Sequence, residues 1–251
     1  MISQTLIERL TNARLVTVFT GAGVSAESGV ATFRAQGGLW SKFKPEELAN
    51  LDAFLANPQM VWEWYQARRE VVLNAEPNEG HRAIASLEEF VPHVSVVTQN
   101  IDGLHTEAGS SEVIELHGNI RKNFCQNCGK RHDNLEILTE HHIPSCSCGG
   151  NIRPDVVWFG ELLPATAIEL AEKRAKECNI LFSVGTSSVV WPAAGLPLLA
   201  LDSGAYVVEI NPEQTPLTRH AHESIRATSG EVMPEITRLL REMRIPSELS
   251  K

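Results

Sequence analysis

Residues Leu15–Thr20 (LVTVFT) form a short apolar, β-branched run that Gly21-Ala22-Gly23 breaks at once. Such a run reads as a buried strand, and glycine directly behind it marks a tight turn. The segment 24–29 (VSAESG) then carries helix-start signals in Ser25 and Glu27. Further strand candidates are 94–97, Ile180–Val184 and 205–210, separated by helical patterns over 79–89, Ala165–Glu177 and 231–243. Strands alternating with helices predict an α/β fold with a parallel sheet covered on both faces. Ahead of the first strand, residues 1–14 read as an amphipathic helix with Leu6, Ile7 and Leu10 on one face.

Residues 21–26 read G-x-G-x-x-A between a strand and a helix. The first glycine allows the turn, the second lets backbone approach a pyrophosphate, and Ala26 permits close helix–sheet packing. Many α/β turns are glycine-rich without binding a nucleotide. No acidic residue ends a second strand about twenty positions later, as ordinary Rossmann ribose recognition requires. If a dinucleotide binds, Gln99, Asn100 and Asp102 are the candidates to hold its ribose. They belong to the run 98–105 (TQNIDGLH), which follows the β-branched residues Val94, Val96 and Val97. It therefore sits where open α/β sheets place a ligand crevice, and it carries more polar groups than a turn requires. A dozen residues later ELHGN (115–119) brings His117 to the end of a strand-like run (113–116), beside Gly118. An imidazole there reads as a general base, while His105 reads as support for the loop.

Two segments break the rhythm. Residues 33–74 are rich in aromatic and helix-forming residues, and 121–153 hold four of the five cysteines. Both read as insertions that leave the sheet domain and return. The expected division is a discontinuous Rossmann-like domain (1–32, 75–120 and 154–251), a helical module (33–74) and a zinc-binding module (121–153). A chain of 251 residues is long enough for one sizeable core plus such an appended module.

The cysteines stand as Cys125-x-x-Cys128, then Cys146-x-Cys148 after 17 residues. With no secretory signal, this grouping favours zinc over disulfides. Four thiolates suit a tetrahedral Zn²⁺ with no open position for water, hence a structural site. The rival reading is a finger on DNA, but the segment carries no dominant basic surface. Because the second pair is C-x-C, Cys148 is the least secure ligand, with His132, His141 and His142 as substitutes. Cys178 reads as an inert buried thiol.

The net charge of −9 gives no electrostatic footprint for nucleic acid or an anionic membrane. No apolar run approaches a membrane span, and the first strand follows too soon for a targeting segment, so the cytoplasm is the expected compartment. No long exposed apolar stripe is apparent, and a monomer is expected.

The motifs GAGVSAESG, TQNIDGLH and ELHGN, the four cysteines, RPDVVWFGE (153–161), GTSSVVWPAA (185–194) and EIN (209–211) resemble, in order and over nearly the whole chain, the sirtuins. These are NAD-dependent protein-lysine deacylases. The resemblance implies a large Rossmann-like domain, a small domain of zinc and helical modules, and NAD in the cleft between them. Gly21, Ala22, Gly23, Ser25, Ala26, Glu27, Thr32, Phe33, Arg34 and Trp40 would then form the phosphate-binding turn and cofactor loop. Gln99, Asn100, Ile101 and Asp102 would hold nicotinamide and its ribose. Gly185, Thr186 and Ser187, with Asn211, Pro212 and Glu213, would hold the adenosine half. Ser229 stands where the family often has alanine, next to the adenine. Val157, Phe159, Gly160 and Glu161 would line an acylated peptide bound as an added strand. The implied chemistry is attack of the acyl-lysine oxygen on C1′ of the nicotinamide ribose. His117 then takes a proton through the ribose hydroxyls, with Asn100 and Asp102 as catalytic partners, and the acyl group ends on ADP-ribose. Transfer of ADP-ribose to protein would use the same site and is the competing activity; a non-catalytic NAD-binding module is the other alternative.

Asn57-Pro58 reads as a helix cap and first-turn proline, and Tyr65 and Arg68 lie three residues apart on that helix, sharing a face. WEWYQARRE resembles the Tyr-x-x-Arg signature of the sirtuin subgroup that removes succinyl, malonyl and glutaryl groups. Ala49 matches the small residue that widens the acyl pocket there. Guanidinium and phenol can bind an acyl carboxylate by charge-assisted hydrogen bonds, each worth roughly 1.5–3 kcal/mol or about 10- to 150-fold. The bland alternative pairs a solvated Arg68 with Glu63 or Glu70. The expected activity is therefore desuccinylation and demalonylation, with weaker deacetylation.

Overall fold

The computed structural model describes residues 2–31, 48–133 and 142–244. Its strands are β1 (Leu15–Thr20), β2 (His93–Thr98), β3 (Val113–Glu115), β4 (Gly118–Cys125), β5 (Ile152–Val156), β6 (Ile180–Val184), β7 (Tyr206–Ile210) and β8 (Glu223–Ile225). The helices are α1 (Gln4–Asn12), α2 (Leu51–Ala56), α3 (Pro58–Leu73), α4 (Glu79–Ser86), α5 (Leu104–Glu107), α6 (Ala165–Glu177), α7 (Leu196–Asp202) and α8 (Ser229–Arg244).

Six strands form one sheet in the order β3-β2-β1-β6-β7-β8, with every neighbouring pair parallel. Chain direction across the sheet reverses between β1 and β6, which makes that junction the switch point where such folds open a crevice. Alternate residues serve opposite faces. Val16, Val18, Val96 and Phe182 pack under Leu6, Leu10, Ile84, Met233 and Ile236, which come from α1, α4 and α8. Phe19, Val97, Leu181 and Val207 pack against Ala171, Ala175, Leu196 and Ala200 of α6 and α7. Burial on both faces explains why these strands read as continuous apolar runs.

Several expected boundaries move. The segment after Gly21 is a 3₁₀ helix (Ala22–Ser28), and the 79–89 pattern breaks after Ser86 into a 3₁₀ turn, Leu87–Glu89. The terminal helix starts at Ser229, two residues before the pattern suggested.

Beside the sheet, β4 and β5 pair antiparallel. α3 opens as expected: the Asn57 side chain accepts the Met60 N–H and Pro58 occupies the first turn. Its buried face joins Phe54, Val61, Tyr65 and Val72 to Ile120, Val156 and Trp158 in one apolar cluster. The helical segment therefore packs on the β4–β5 hairpin. Among the described residues, no helix is long and apolar enough to cross a membrane.

Candidate functional site

The carboxyl ends of four strands meet at the switch point. The Gly21 N–H donates to Val184 O (3.1 Å), Gly23 N–H to Gly185 O (2.8 Å), Gln99 N–H to Thr20 O (3.0 Å) and Gly185 N–H to Ile210 O (2.9 Å). A Cβ on Gly23 would lie 2.7 Å from Gly185 O, and one on Gly185, whose φ is +60°, would lie 2.5 Å from Val24 N. What these glycines permit is the close contact between the two loops. Ala26 is exposed, so helix–sheet packing does not explain it; Ala22 is half-buried. The Glu27 carboxylate accepts from Gly230 N–H (2.9 Å) and Thr228 Oγ1 (3.1 Å), tying the 3₁₀ turn to the start of α8 beside the buried Ser229.

Beneath this turn lies a buried polar network. Ser25 Oγ donates to Asp102 Oδ2 (2.7 Å) and accepts from Asn100 Nδ2 (3.1 Å), which also reaches Gly21 O (3.1 Å). Burial pushes the Asp102 pKa up, against the Leu104 N–H and Ser25 hydroxyl that bind its oxygens. His81, absent from the sequence reading, lies 3.3 Å from Ser25 Oγ through Nε2, and Asn78 N–H donates to its Nδ1 (3.3 Å). Since the serine proton goes to Asp102, His81 Nε2–H is the donor. Burial holds His81 neutral, with a pKa lowered to about 4. The only sequence signal was its place three residues after the Asn78 cap. On the other side, His105 Nε2 lies 3.0 Å from Thr20 Oγ1, which donates to Thr98 Oγ1 (2.8 Å); that oxygen accepts the Asn100 N–H (3.0 Å). His105, pushed to about 3 by burial, thus braces the loop carrying Asn100.

His117 is half-buried and its Nδ1–H donates to Gln99 O (2.9 Å), which leaves Nε2 as the basic nitrogen. Burial lowers its pKa, against the raising effect of that carbonyl. Its own carbonyl accepts Val157 N–H (2.9 Å), and Phe159 N–H donates to Ala49 O (2.9 Å). Ile101 packs on the cluster of Ala49, Tyr65 and Trp158. Backbone bonds therefore join the His117 strand end to Val157, next to the packed cluster of Ala49, Tyr65 and Trp158.

The 156–161 segment differs from the expected edge strand, because β5 ends at Val156. The Val157 and Phe159 N–H groups are donated within the protein. The Glu161 carboxylate is engaged within the protein: Arg153 Nη1 and Nη2 donate to its two oxygens at 2.6 and 2.9 Å, and Trp158 N–H adds a third bond at 2.8 Å.

Tyr65 is buried, and its Oη accepts the Trp158 Nε1–H (2.8 Å). The Arg68 guanidinium is half-buried, 4.7 Å from the Trp64 ring centre and 5.6 Å from that of Tyr65. Burial lowers its pKa, opposed by Tyr65. Arg69, which the sequence reading passed over, is 1 % exposed and donates to Ile120 O (2.7 Å), Gln66 Oε1 (2.8 Å) and Asn123 Oδ1.

Toward β7, Gln99 Nε2 donates to Thr186 Oγ1 (3.0 Å), and Asn211 Nδ2 to Thr186 O (2.8 Å) while its Oδ1 accepts Glu213 N–H (3.0 Å). Ser187 is half-buried, and Pro212 and Glu213 are exposed. Ser188, also absent from the sequence reading, has φ +53° and a buried Oγ with no partner among the described residues. An orphaned hydroxyl at the crevice fits a polar ligand. Thr32, Phe33, Arg34 and Trp40 lie outside the described residues.

The four cysteine sulfurs lie within 4.8 Å of one another, with Cys125–Cys148 at 3.5 Å and Cys128–Cys146 at 3.8 Å. A tetrahedral Zn²⁺ with Zn–S near 2.3 Å requires sulfur–sulfur edges of about 3.8 Å. The donor set fits a structural zinc and includes Cys148. His132 and His142 are not part of the group, and His141 lies outside the described residues.

The Sir2 family model matches residues 21–192, about two thirds of the chain. This chain belongs to the Sir2 family. An NAD-dependent protein deacylase of Aquifex aeolicus is 50% identical to this Sir2 protein over 222 residues, covering 87% of this chain and 92% of that one. A solved mutant Sir2 homologue in complex with ADP-ribose superposes with a TM-score of 0.93 at 42% identity, covering 96% of this chain and 98% of the other. A Sir2–p53 peptide–NAD⁺ structure follows at 0.85 and 34% identity, with coverages of 95% and 98%.

Proposed function

We propose that this Sir2 protein is an NAD-dependent protein-lysine deacylase that favours succinyl- and malonyl-lysine over acetyl-lysine. Deacylation follows from the family, the named activity of the relative and the polar crevice at the switch point. The acyl preference rests on one observation: Arg68 stands beside Tyr65, which packs in one cluster with Ala49 and Ile101. NAD, when bound, supplies the electrophilic ribose carbon and the acceptor for the acyl group.

The chain's own residues orient the reactants and move one proton. His117 Nε2 is the base, held in one tautomer by Gln99 O. Asn100 and Asp102, fixed by Ser25, line the neighbouring pocket for nicotinamide and its ribose. Thr186, Ser187, Ser188 and Asn211 hold the adenosine half. Val157, Phe159 and Gly160 line the peptide, and Phe159 is 55% exposed there. Arg68 supplies the counter-charge for the acyl carboxylate.

The test is NAD-dependent deacylation of one peptide carrying succinyl-, malonyl- or acetyl-lysine, by wild type and Arg68→Met. A preference for the charged acyl groups that the variant loses, with deacetylation spared, supports the reading. Equal loss on all substrates, or a wild type that prefers acetyl, leaves a generic deacetylase.

A further inference from the structure

A phenol has one proton to give and lone pairs to accept with, whereas an indole N–H only donates. The Trp158 Nε1–H is given to Tyr65 Oη, so the tyrosine proton must go elsewhere. The described residues make no other hydrogen bond to that hydroxyl. The Arg68 guanidinium, read above as the acyl counter-charge, lies 5.6 Å from the Tyr65 ring centre.

Trp158 has little freedom to withdraw its donor. It is 2% exposed, packs on Phe54 with ring centres 5.1 Å apart, and lies under the Arg153 guanidinium, 3.2 Å from its ring centre. Its backbone N–H is held by Glu161 Oε2, and Glu161 is gripped by the same arginine. Arg153 is anchored in turn at Val156 O (2.8 Å) and Gln126 Oε1 (3.0 Å). The indole direction is thus fixed before any substrate arrives.

We propose that Trp158 is a specificity-determining positioning residue: its indole N–H occupies an acceptor lone pair of Tyr65 and commits the phenol proton to a carboxylate at the end of the acyl chain. An acyl carboxylate gains a second preset donor beside Arg68. An acetyl methyl has nothing to accept there and is indifferent to the device. The inference rests on the acyl preference proposed above.

The experiment compares wild type, Trp158→Phe, Tyr65→Phe, the double variant and Arg68→Met on succinyl- and acetyl-lysine versions of one peptide. Trp158→Phe is expected to lower succinyl kcat/KM by about 3- to 10-fold, mainly through KM, with acetyl unchanged. In the Tyr65→Phe background it should add nothing further. A drop shared equally by both substrates, or one undiminished without the phenol, overturns the inference. If Arg68→Met abolishes the succinyl preference while Trp158→Phe keeps it, the inference fails alone. A wild type without the preference removes the acyl reading and the inference together. A second measurement covers a Trp158→Phe that does not fold. The Trp158 indole N–H resonance, identified in the full chain by its displacement in Tyr65→Phe, should shift when succinyl-lysine peptide saturates the protein and stay put with acetyl-lysine peptide. Equal behaviour with the two peptides overturns the proposal.

Discussion

Single residues carry the chemistry through which of their atoms are already spent. His117 uses Nδ1 on Gln99 O, and burial lowers its pKa below the ordinary histidine value. A base must be neutral to accept a proton, and a lowered pKa keeps it neutral further into acid. The acid limb of kcat/KM should therefore fall below pH ~6.5, and His117→Ala should remove activity while leaving the melting temperature within a few degrees. A limb at or above the ordinary value would show that burial does not control this group. Arg68 and Arg69 illustrate what the sequence could carry at this scale. Helical spacing pairs Arg68 with Tyr65, and that pairing was legible. The next residue, rotated by about 100°, lies over Trp62 at 4.9 Å and bonds to β4. Nothing in the periodicity of YQARRE distinguishes the two arginines, because the difference lies in what each face meets in three dimensions. Truncating Arg69 strands a buried carbonyl and an amide oxygen. Arg69→Ala should cost about 2–4 kcal/mol in chemical denaturation.

Elements were legible where burial left a pattern. β1, β2 and β6 lie in the middle of the sheet, and their β-branched runs identify them. β8 has three residues, with only Ile225 buried, so no period could reveal it. The ties between elements were not legible, because their partners are distant in sequence. Glu112, just before β3, binds Arg174 of α6 at 2.7 and 2.8 Å and accepts from Ser95 of β2 and from His93. Arg174 is the main cause of a carboxyl pKa lowered to about 2; Ser95 and His93 add to it against desolvation. Because the folded value lies below the unfolded one, this stabilisation is complete above the ordinary carboxylate range. It fades as pH falls toward 2. Glu112→Gln should be less stable than wild type at pH 7, and the gap should close between pH ~4.5 and ~2. Urea titrations at several pH values check this, and a gap independent of pH would mean that the carboxylate charge contributes nothing. The two switch-point loops make a second tie. Gly185→Ala would push a methyl into Val24 N, and it should lower both the melting temperature and NAD affinity, read by calorimetry.

At the scale of the molecule, the periodicity of the sheet strands stops at two segments, 33–74 and 121–153. It does not reveal that the interruptions meet. Phe54 and Tyr65 come from the helical segment and share one apolar cluster with Ile120, Val156 and Trp158, which flank the cysteine segment, and Arg69 bonds to Asn123 within it. Only the knuckle stands apart, since its buried cluster is Cys125, Cys146 and Ile152. Two of those three are cysteines of the group that fits zinc, so among the described residues of the knuckle almost no apolar burial remains without the metal. The six-stranded sheet has its own large layers on both faces and needs no metal. Chelation should therefore release one zinc per chain and speed amide exchange in β5, the distal half of β4 and the cysteine loops. β1, β2 and β6 should keep their protection. Arg69 grips Asn123, two residues before Cys125, so α3 should loosen next and the cluster around Tyr65 with it. Exchange rising everywhere at once would mean that the hairpin and sheet unfold as one unit. No release of zinc would mean that the four thiolates hold the fold without it.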